Sequence, residues 1–214
     1  MARLTEEQLI EKYVQLDTYE NEYRDKGFTF IAGIDEAGRG PLAGPVVAAA
    51  CILDKDIRIL GLDDSKKLSE KKREALYDEI VSKALAYSVV RVEASRIDEV
   101  NILNATKEAM RTCVRELTDK GFDPQILLID AVKLEGTGKT VVPIIKGDAK
   151  SNSIAAASIL AKVTRDRIMK EYDEVYPGYG FSKHKGYGTA EHYAAIREKG
   201  MTDIHRRTFL KVIH

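Results

Sequence analysis

The chain of 214 residues carries 34 Lys and Arg against 34 Asp and Glu, so its formal net charge is zero and nothing in the total asks for a polyanionic partner. At 44% hydrophobic and 32% charged it is too apolar for a disordered tail, and no stretch approaches the roughly 18 consecutive apolar residues of a membrane-spanning helix. Cys51 and Cys113 are too few for a disulfide framework or a cysteine-rich zinc site, and Met1-Ala-Arg-Leu-Thr lacks an apolar signal core. The expectation is a soluble, cytoplasmic, monomeric protein with no membrane partner.

Leu9, Tyr13, Leu16 and Tyr23 recur at helical spacing, so residues 5–25 are predicted as one amphipathic helix ending near Gly27. Phe28 to Ile34 is predicted as a strand that stops at Asp35-Glu36; after the turn at Gly38-Arg39-Gly40-Pro41, Pro45 to Leu53 forms a second, buried strand paired with it as a hairpin. A helix over 69–85 with Ser69 as N-cap, a strand over Tyr87–Val92 and a helix over Asn104–Thr118 follow. Ile126–Asp130 and Val141–Ile145 are short strands, Ser151 to about Tyr172 is a long helix with a run of small residues, and Thr189–Lys199 is a last helix after a polar, basic loop. This order gives one mixed α/β domain over 28–214 preceded by a helical segment over 1–27. The first three strands are expected antiparallel, and the later ones parallel to the first. The N-terminal 27 residues hold 4 basic and 7 acidic side chains, which suits docking on the core and not a DNA clamp.

Charge is uneven along the chain. Residues 151–214 carry 11 basic against 7 acidic side chains and all four histidines, which is where a phosphate backbone would find its attraction. Two glycine-rich motifs mislead. Gly38-Arg-Gly-Pro-Leu-Ala43 has the letters of a dinucleotide fingerprint, but it leads into a strand where that motif must open a helix. Gly136-Thr-Gly-Lys-Thr140 mimics the end of a phosphate loop, yet its first glycine would fall on Lys133; a hairpin turn is expected instead. No metalloprotease helix or serine-hydrolase elbow occurs.

The informative feature is acids at the ends of apolar strands. Asp35, Glu36 and Asp130 each end such a segment, and Asp148 stands just before the long helix. A carboxylate there is costly to desolvate unless a cation answers it. If the strands are neighbours, four carboxylates converge, and such a cluster of hard oxygens suits Mg²⁺ or Mn²⁺, with two ions able to support phosphodiester cleavage. Spacing alone leaves open that Asp148 caps a helix, that Asp130 bonds a turn and that Asp35-Glu36 pairs with Arg39.

Gly33-Ile-Asp-Glu-Ala-Gly-Arg-Gly-Pro-Leu-Ala-Gly-Pro45, Asp64-Ser-Lys-Lys-Leu68, Leu128-Ile-Asp130, Lys146-Gly-Asp-Ala-Lys150, Ala155 to Val163 and His184-Lys-Gly-Tyr-Gly-Thr189 together resemble the ribonuclease HII family, in the expected order over roughly residues 28–210. The resemblance implies a ribonuclease H-like fold, a five-stranded mixed sheet flanked by helices with a C-terminal helical segment. It implies cleavage of the RNA strand of RNA–DNA hybrids and incision 5′ to single ribonucleotides in duplex DNA, leaving 3′-hydroxyl and 5′-phosphate ends. The family's metal ligands fall on Asp35, Glu36, Asp130 and Asp148, its glycine-arginine-glycine motif on Gly38, Arg39 and Gly40, and its junction-sensing tyrosine on Tyr187. Ser65, Lys66, Lys146, Lys150, Lys183, His184, Lys185 and Arg206 are candidate phosphate contacts. Ribonuclease HIII shares the acids but typically bears a separate N-terminal domain and lacks the glycine-arginine-glycine and tyrosine pair, so it fits less well. No clamp-binding motif is evident after Phe209.

Overall fold

In the computed structural model, which describes residues 4–210, the apolar segments Ile31–Ala37 (β1), Val46–Ile52 (β2), Ala86–Val92 (β3), Ile126–Asp130 (β4) and Thr140–Ile144 (β5) form one sheet in the order β3-β2-β1-β4-β5. β1 pairs antiparallel with β2, and β2 antiparallel with β3, while β1–β4 and β4–β5 are parallel. Side chains alternate across β2 because a strand has a two-residue period. Val46, Ala48, Ala50 and Ile52 pack in one apolar layer; Val47, Ala49 and Cys51 pack in the other.

Helices cover both faces. They are Glu6–Leu16 (α1), Thr18–Asp25 (α2), Glu70–Lys83 (α3), Ala94–Val100 (α4), Ile102–Asp119 (α5), Asn152–Val175 (α6), Phe181–His184 (α7) and Ala190–Lys199 (α8). Met110, Cys113 and Leu117 of α5 fill the first layer, and Ala155, Ala156 and Ile159 of α6 the second. Ser69, Ser151 and Thr189 each cap the helix they precede, accepting a backbone N–H of its first turn. No described helix is long and apolar enough to cross a membrane.

The approach of α6 to β1 decides where the acids lie. A Cβ placed on Gly33 would stand 2.0 Å from the Ser153 carbonyl carbon and 2.2 Å from Ile154 N, so the helix backbone rests directly on the strand backbone. Only glycine permits that contact. The start of α6 is also gripped by the N-terminal helices. Glu20 of α2, 1% exposed, accepts bonds through Oε1 from Ser151 Oγ (2.6 Å), Ser153 Oγ (2.5 Å) and Ser153 N (2.9 Å), and Asn152 Nδ2 donates to Tyr13 O at 2.9 Å. Burial raises the Glu20 carboxyl above its usual range, and these hydrogen bonds, one of them from a helix amide that lacks an internal partner, offset that in part.

Several expectations change. Residues 5–25 form two helices broken at Asp17, with no Gly or Pro to signal it; Tyr13 and Leu16 are buried on the first and Glu20 on the second. The first strand starts at Ile31 and runs through Asp35 and Glu36, because the β2 ladder continues to Ala37. The 136–140 segment is no hairpin turn, since β4 and β5 are parallel and a tight turn cannot join parallel strands. Sequence reading also missed α4, which is separated from α5 by Asn101 in the left-handed region (φ 66°), and the short α7 inside the expected loop. The residues after Leu210, including His214, lie outside the described chain.

Gly33→Ala is expected to destabilise the protein by about 3 kcal/mol, because the new methyl meets backbone that cannot rotate away. At this chain length that lowers Tm by about 6–12 °C, readable by calorimetry, and an unchanged Tm would refute the close approach.

Candidate active site

The parallel register sets Ile34 beside Ile129, which brings the next residues, Asp35 on β1 and Asp130 on β4, side by side at one end of the sheet. A single 3₁₀ turn, Gly147–Ala149, delivers Asp148 to the same place just before α6. Gly147 N donates to Asp130 Oδ1 at 2.8 Å, and Ser151 N donates to Gly147 O at 2.9 Å, so the turn is tied both to the strand and to the serine that Glu20 holds. One carboxylate oxygen from each of Asp35, Asp130 and Asp148 lies within 4.8 Å of the others. Asp130 thus bonds a turn and also converges with the other acids, so the turn contact and the cluster coexist.

Glu36 is adjacent on the strand and so projects differently. Its Oε1 accepts from Arg39 Nη1 at 3.3 Å, while Oε2 is buried with no partner. Asp35 Oδ1 accepts only the Glu36 backbone N–H, at 2.8 Å. Burial drives the Asp35 carboxyl well above its usual range, and the neighbouring charges of Glu36, Asp130 and Asp148 push it the same way. Glu36 is raised chiefly by burial. Asp148 is pushed up to about 6 by burial, then by Asp64 and Asp130. The cluster is thus anionic, underneutralised and made of hard oxygens, with an orphaned buried oxygen on Glu36. That is the donor set that Mg²⁺ or Mn²⁺ requires. Asp64, which stands beside Asp148 and accepts from Lys66 N at 2.9 Å, is an acid that sequence reading left out although its motif was in view.

Asp35, Glu36, Gly38, Arg39, Gly40, Ser65, Lys66 and Tyr187 line one cleft of about 310 Å³, with Ser158, Lys162 and Arg165, which the sequence did not nominate. Tyr187 is 47% exposed, and its Cε1 lies 3.6 Å from where a Gly40 Cβ would stand. Gly40 therefore keeps the wall of the cleft open. Gly38 has a stricter role: its φ is 93° and a Cβ would lie 2.0 Å from Arg165 Nε.

The other candidates divide. Lys146 and Lys150 are exposed on either side of Asp148, and Lys183 is exposed beside Glu191 at 2.7 Å. Lys185 is half-buried, its ammonium near the Ser182 carbonyl. Arg206 and His184, expected to meet phosphate, do not face it. Arg206 is fully buried and donates to the carbonyls of Gly38 (2.6 Å), Arg39 (3.0 Å), Pro41 (2.8 Å) and Gly44 (2.8 and 3.0 Å). Burial pulls its guanidinium down to about 9. Arg165 does the same for Ala43 (3.1 Å), Pro45 (3.0 Å) and Lys185 (3.0 Å). Arg165 thus fastens the 38–45 loop to Lys185 of the 184–189 loop, and Arg206 gathers the carbonyls of the 38–45 loop itself. His184 is buried, its ring bonded to Tyr179 O and Gly186 N.

The raised acids make a stability prediction with a definite sign. A carboxyl whose folded value lies above its unfolded value of about 3.8 contributes full stability below pH 4 and loses it as pH rises through about 6. In metal-free protein, Asp35→Asn should therefore raise Tm at pH 8 by about 2–4 °C per kcal/mol of relieved repulsion, and leave it unchanged at pH 4, where Asp35 is already neutral. A chelated sample melted at both pH values checks this; equal Tm values at pH 8 would refute the repulsion.

Comparison with known proteins agrees with this geometry. The family model described as Ribonuclease HII matches residues 32–212. A ribonuclease HII of Lachnoclostridium phytofermentans is 58% identical over 196 residues, covering 92% of this chain and 75% of that protein, and one of Clostridioides difficile is 55% identical over 203 residues, covering 95% and 78%. Among solved structures, the PCNA–ribonuclease HII complex of Archaeoglobus fulgidus superposes with a TM-score of 0.71 at 31% identity, covering 83% of this chain and 94% of that one. The ribonuclease H2 of Pyrococcus horikoshii gives 0.67 at 29% identity, covering 84% and 93%. With a ribonuclease H-like sheet that brings its acids to one edge, and with relatives of this similarity over nearly its whole length, the chain belongs to the ribonuclease HII family and is a metal-dependent ribonuclease.

Proposed function

We propose that this protein is an endonuclease that cuts the RNA strand of RNA–DNA hybrids and nicks duplex DNA on the 5′ side of a single embedded ribonucleotide. The observation that carries this reading is one cleft lined both by Asp35, which shares a metal-type acid cluster with Asp130 and Asp148, and by Gly40 with the half-exposed Tyr187. The first supplies phosphodiester hydrolysis, the second a way to tell a ribose from its neighbours.

Asp35, Asp130 and Asp148 would hold the divalent cations, two of them with substrate in place, and Glu36 would complete the set with its orphaned oxygen. Mg²⁺ or Mn²⁺ bound there lowers the pKa of a water and neutralises charge on the phosphate. Asp35, on the central strand of the sheet, would be one of the ligands. Water adds its oxygen to the phosphorus 5′ to the ribonucleotide and gives up a proton. The bond from phosphorus to the upstream O3′ breaks, and that oxygen takes a proton, so the products are a 3′-hydroxyl and a 5′-phosphate.

The ribose differs from deoxyribose only in its 2′-hydroxyl, which both donates and accepts. Gly38, Arg39 and Gly40 offer backbone groups at a cleft wall with no Cβ on Gly40, and Tyr187 offers a hydroxyl to the ribose and a ring face to the next sugar. Ser65 and Lys66 border the acids, and Lys146, Lys150, Lys183 and Lys185 supply positive charge for the phosphate backbone, which gives salt-dependent affinity without sequence preference.

Duplex DNA with one ribonucleotide, incubated with Mg²⁺ or Mn²⁺, should be nicked once, on its 5′ side, and left whole with chelator; a metal-independent nick or none overturns the assignment. Asp35→Asn should lower turnover by at least about a thousandfold while hybrid binding in a gel-shift assay persists, because it removes a cation ligand and no phosphate contact. Tyr187→Ala should slow incision at a lone ribonucleotide by about tenfold more than cleavage of an all-RNA strand; equal losses would end the role of Tyr187 in ribose reading.

A further inference from the structure

Beneath the cleft lie three histidines whose bonding is fixed by their neighbours. The rings of His184 and His192 stack with centroids 4.5 Å apart, and His192 Nε2 is 3.1 Å from His205 Nε2. All three are buried, with Phe181 against each of them. A backbone N–H can only donate and a carbonyl can only accept, so the proton positions follow one from another. Gly186 N donates to His184 Nδ1 at 3.1 Å, hence His184 carries its proton on Nε2 and gives it to Tyr179 O at 2.7 Å. Thr202 N donates to His205 Nδ1 at 2.9 Å, hence His205 is protonated on Nε2 and donates to His192 Nε2. His192 is left with its proton on Nδ1, which faces Tyr187 O at 2.9 Å.

Every ring nitrogen is thus paired with all three rings neutral, and an added proton anywhere would set two donors against each other. Burial holds His192 and His205 below the usual histidine range, the latter down to about 4. The chain of bonds ends on Tyr187, whose carbonyl also accepts from Thr189 N (2.9 Å) and whose N–H donates to His184 O (2.9 Å). Its other end is anchored to the opposite wall of the cleft. His205 pairs in an antiparallel bridge with Ala43, Gly44 N donates to Ile204 O at 2.8 Å, and Arg206 N to Leu42 O at 2.8 Å. The loop so anchored is the one that begins at Gly38-Arg39-Gly40.

We propose that His192, oriented by His205, is a positioning residue for ribose discrimination, fixing the distance of Tyr187 from Gly40 through its Nδ1–H bond to the Tyr187 carbonyl. The proposal rests on the ribose-reading role given to Tyr187 above. His192 touches no substrate; it acts by holding the backbone of a residue whose side chain does.

Two amide variants separate the bond from the packing. Asn presents its amide near the position of Nδ1, and Gln near that of Nε2. His192→Asn should keep the bond to Tyr187, and His192→Gln should keep a partner for His205 while losing Tyr187. The measured quantity is the ratio of kcat/KM for a lone ribonucleotide in DNA to that for an all-RNA strand, with Mn²⁺ affinity and Tm recorded beside it. His192→Gln is expected to lower the ratio about tenfold with Mn²⁺ affinity unchanged, and His192→Asn to stay within about twofold of the parent. Equal ratios for the two variants overturn the proposal. Tyr187→Ala, run alongside, tells which premise failed. If it lowers the ratio and His192→Gln does not, only the positioning role falls; if it too leaves the ratio unmoved, the ribose-reading role falls and the positioning role with it. Imidazole ¹⁵N spectra at pH 7 provide a readout independent of activity: His192 should be the Nδ1–H tautomer and His184 and His205 the Nε2–H tautomer. The opposite tautomer at His192 overturns the relay.

Discussion

The backbone of α6 lies on the backbone of β1 at Gly33, with no side chain between them, and the placement of the acids follows from that contact. Asp35 is two residues further along β1, and Asp148 sits in the turn that feeds α6. Had the helix been held off by even one methyl, the turn would move away from the sheet edge and the oxygens of Asp148 would leave the group they share with Asp35 and Asp130. Small residues elsewhere serve the same approach: Ala49 on β2, and Ala155, Ala156 and Ala157 on α6, are all fully buried in the layer between helix and sheet. Close packing of this kind transmits displacement, because interiors have no slack to absorb it.

The N-terminal helices are part of this arrangement and not an appendage to it. Glu20 neutralises the start of α6, and Lys12 reaches Asp63 at 2.5 Å, next to the Asp64-Ser65-Lys66 segment that borders the acids. The helices therefore touch the supports of the cleft at two points on either side of the acid cluster. Their acidic composition, which argued against a DNA clamp, has a structural use in Glu20: a buried carboxyl that answers one helix amide, Ser153 N, and two serine hydroxyls.

Much of this was legible in the sequence, for identifiable reasons. The apolar runs of β1, β2 and β4 and the capping serine of α3 are local signals, and the strand-end acids announced themselves because a carboxylate after Ile-Leu-Leu-Ile has nowhere comfortable to go. What escaped was set by tertiary contact. The break at Asp17 carries no Gly or Pro, and on either side of it Tyr13 and Glu20 meet the start of α6, at Asn152 and at Ser151 and Ser153. Arg165, in a helix, drew no expectation and Arg206, in a basic stretch, read as a phosphate contact, yet their guanidinium groups fill nests of carbonyl oxygens that exist only once the 38–45 loop has folded. His184 beside two lysines looked like a phosphate contact for the same reason; its stacking partner His192 lies eight residues further along, and their acceptor and donor roles emerge only from the surrounding backbone.

Buried charge is used in this protein in two opposite ways, and the difference lies in whether compensation is built in. Arg206 has its donors spread over four backbone carbonyls, so its charge is answered where it stands and the loop around it is made rigid. Asp35 has one backbone N–H from its own neighbour and three other carboxylates around it, so its charge is answered by nothing the chain supplies. The first arrangement stabilises the apoprotein; the second destabilises it and creates affinity for a divalent cation, because relief of repulsion adds to the ligand bonds. The rigid arginine-held loop forms the wall of the same cleft, so the cation demanded by the acids arrives at a surface whose geometry is already fixed. A formal charge of zero conceals this division: Asp35, Asp130 and Asp148 bring their oxygens to one spot, and two of the arginines counted against them, Arg165 and Arg206, are almost wholly buried.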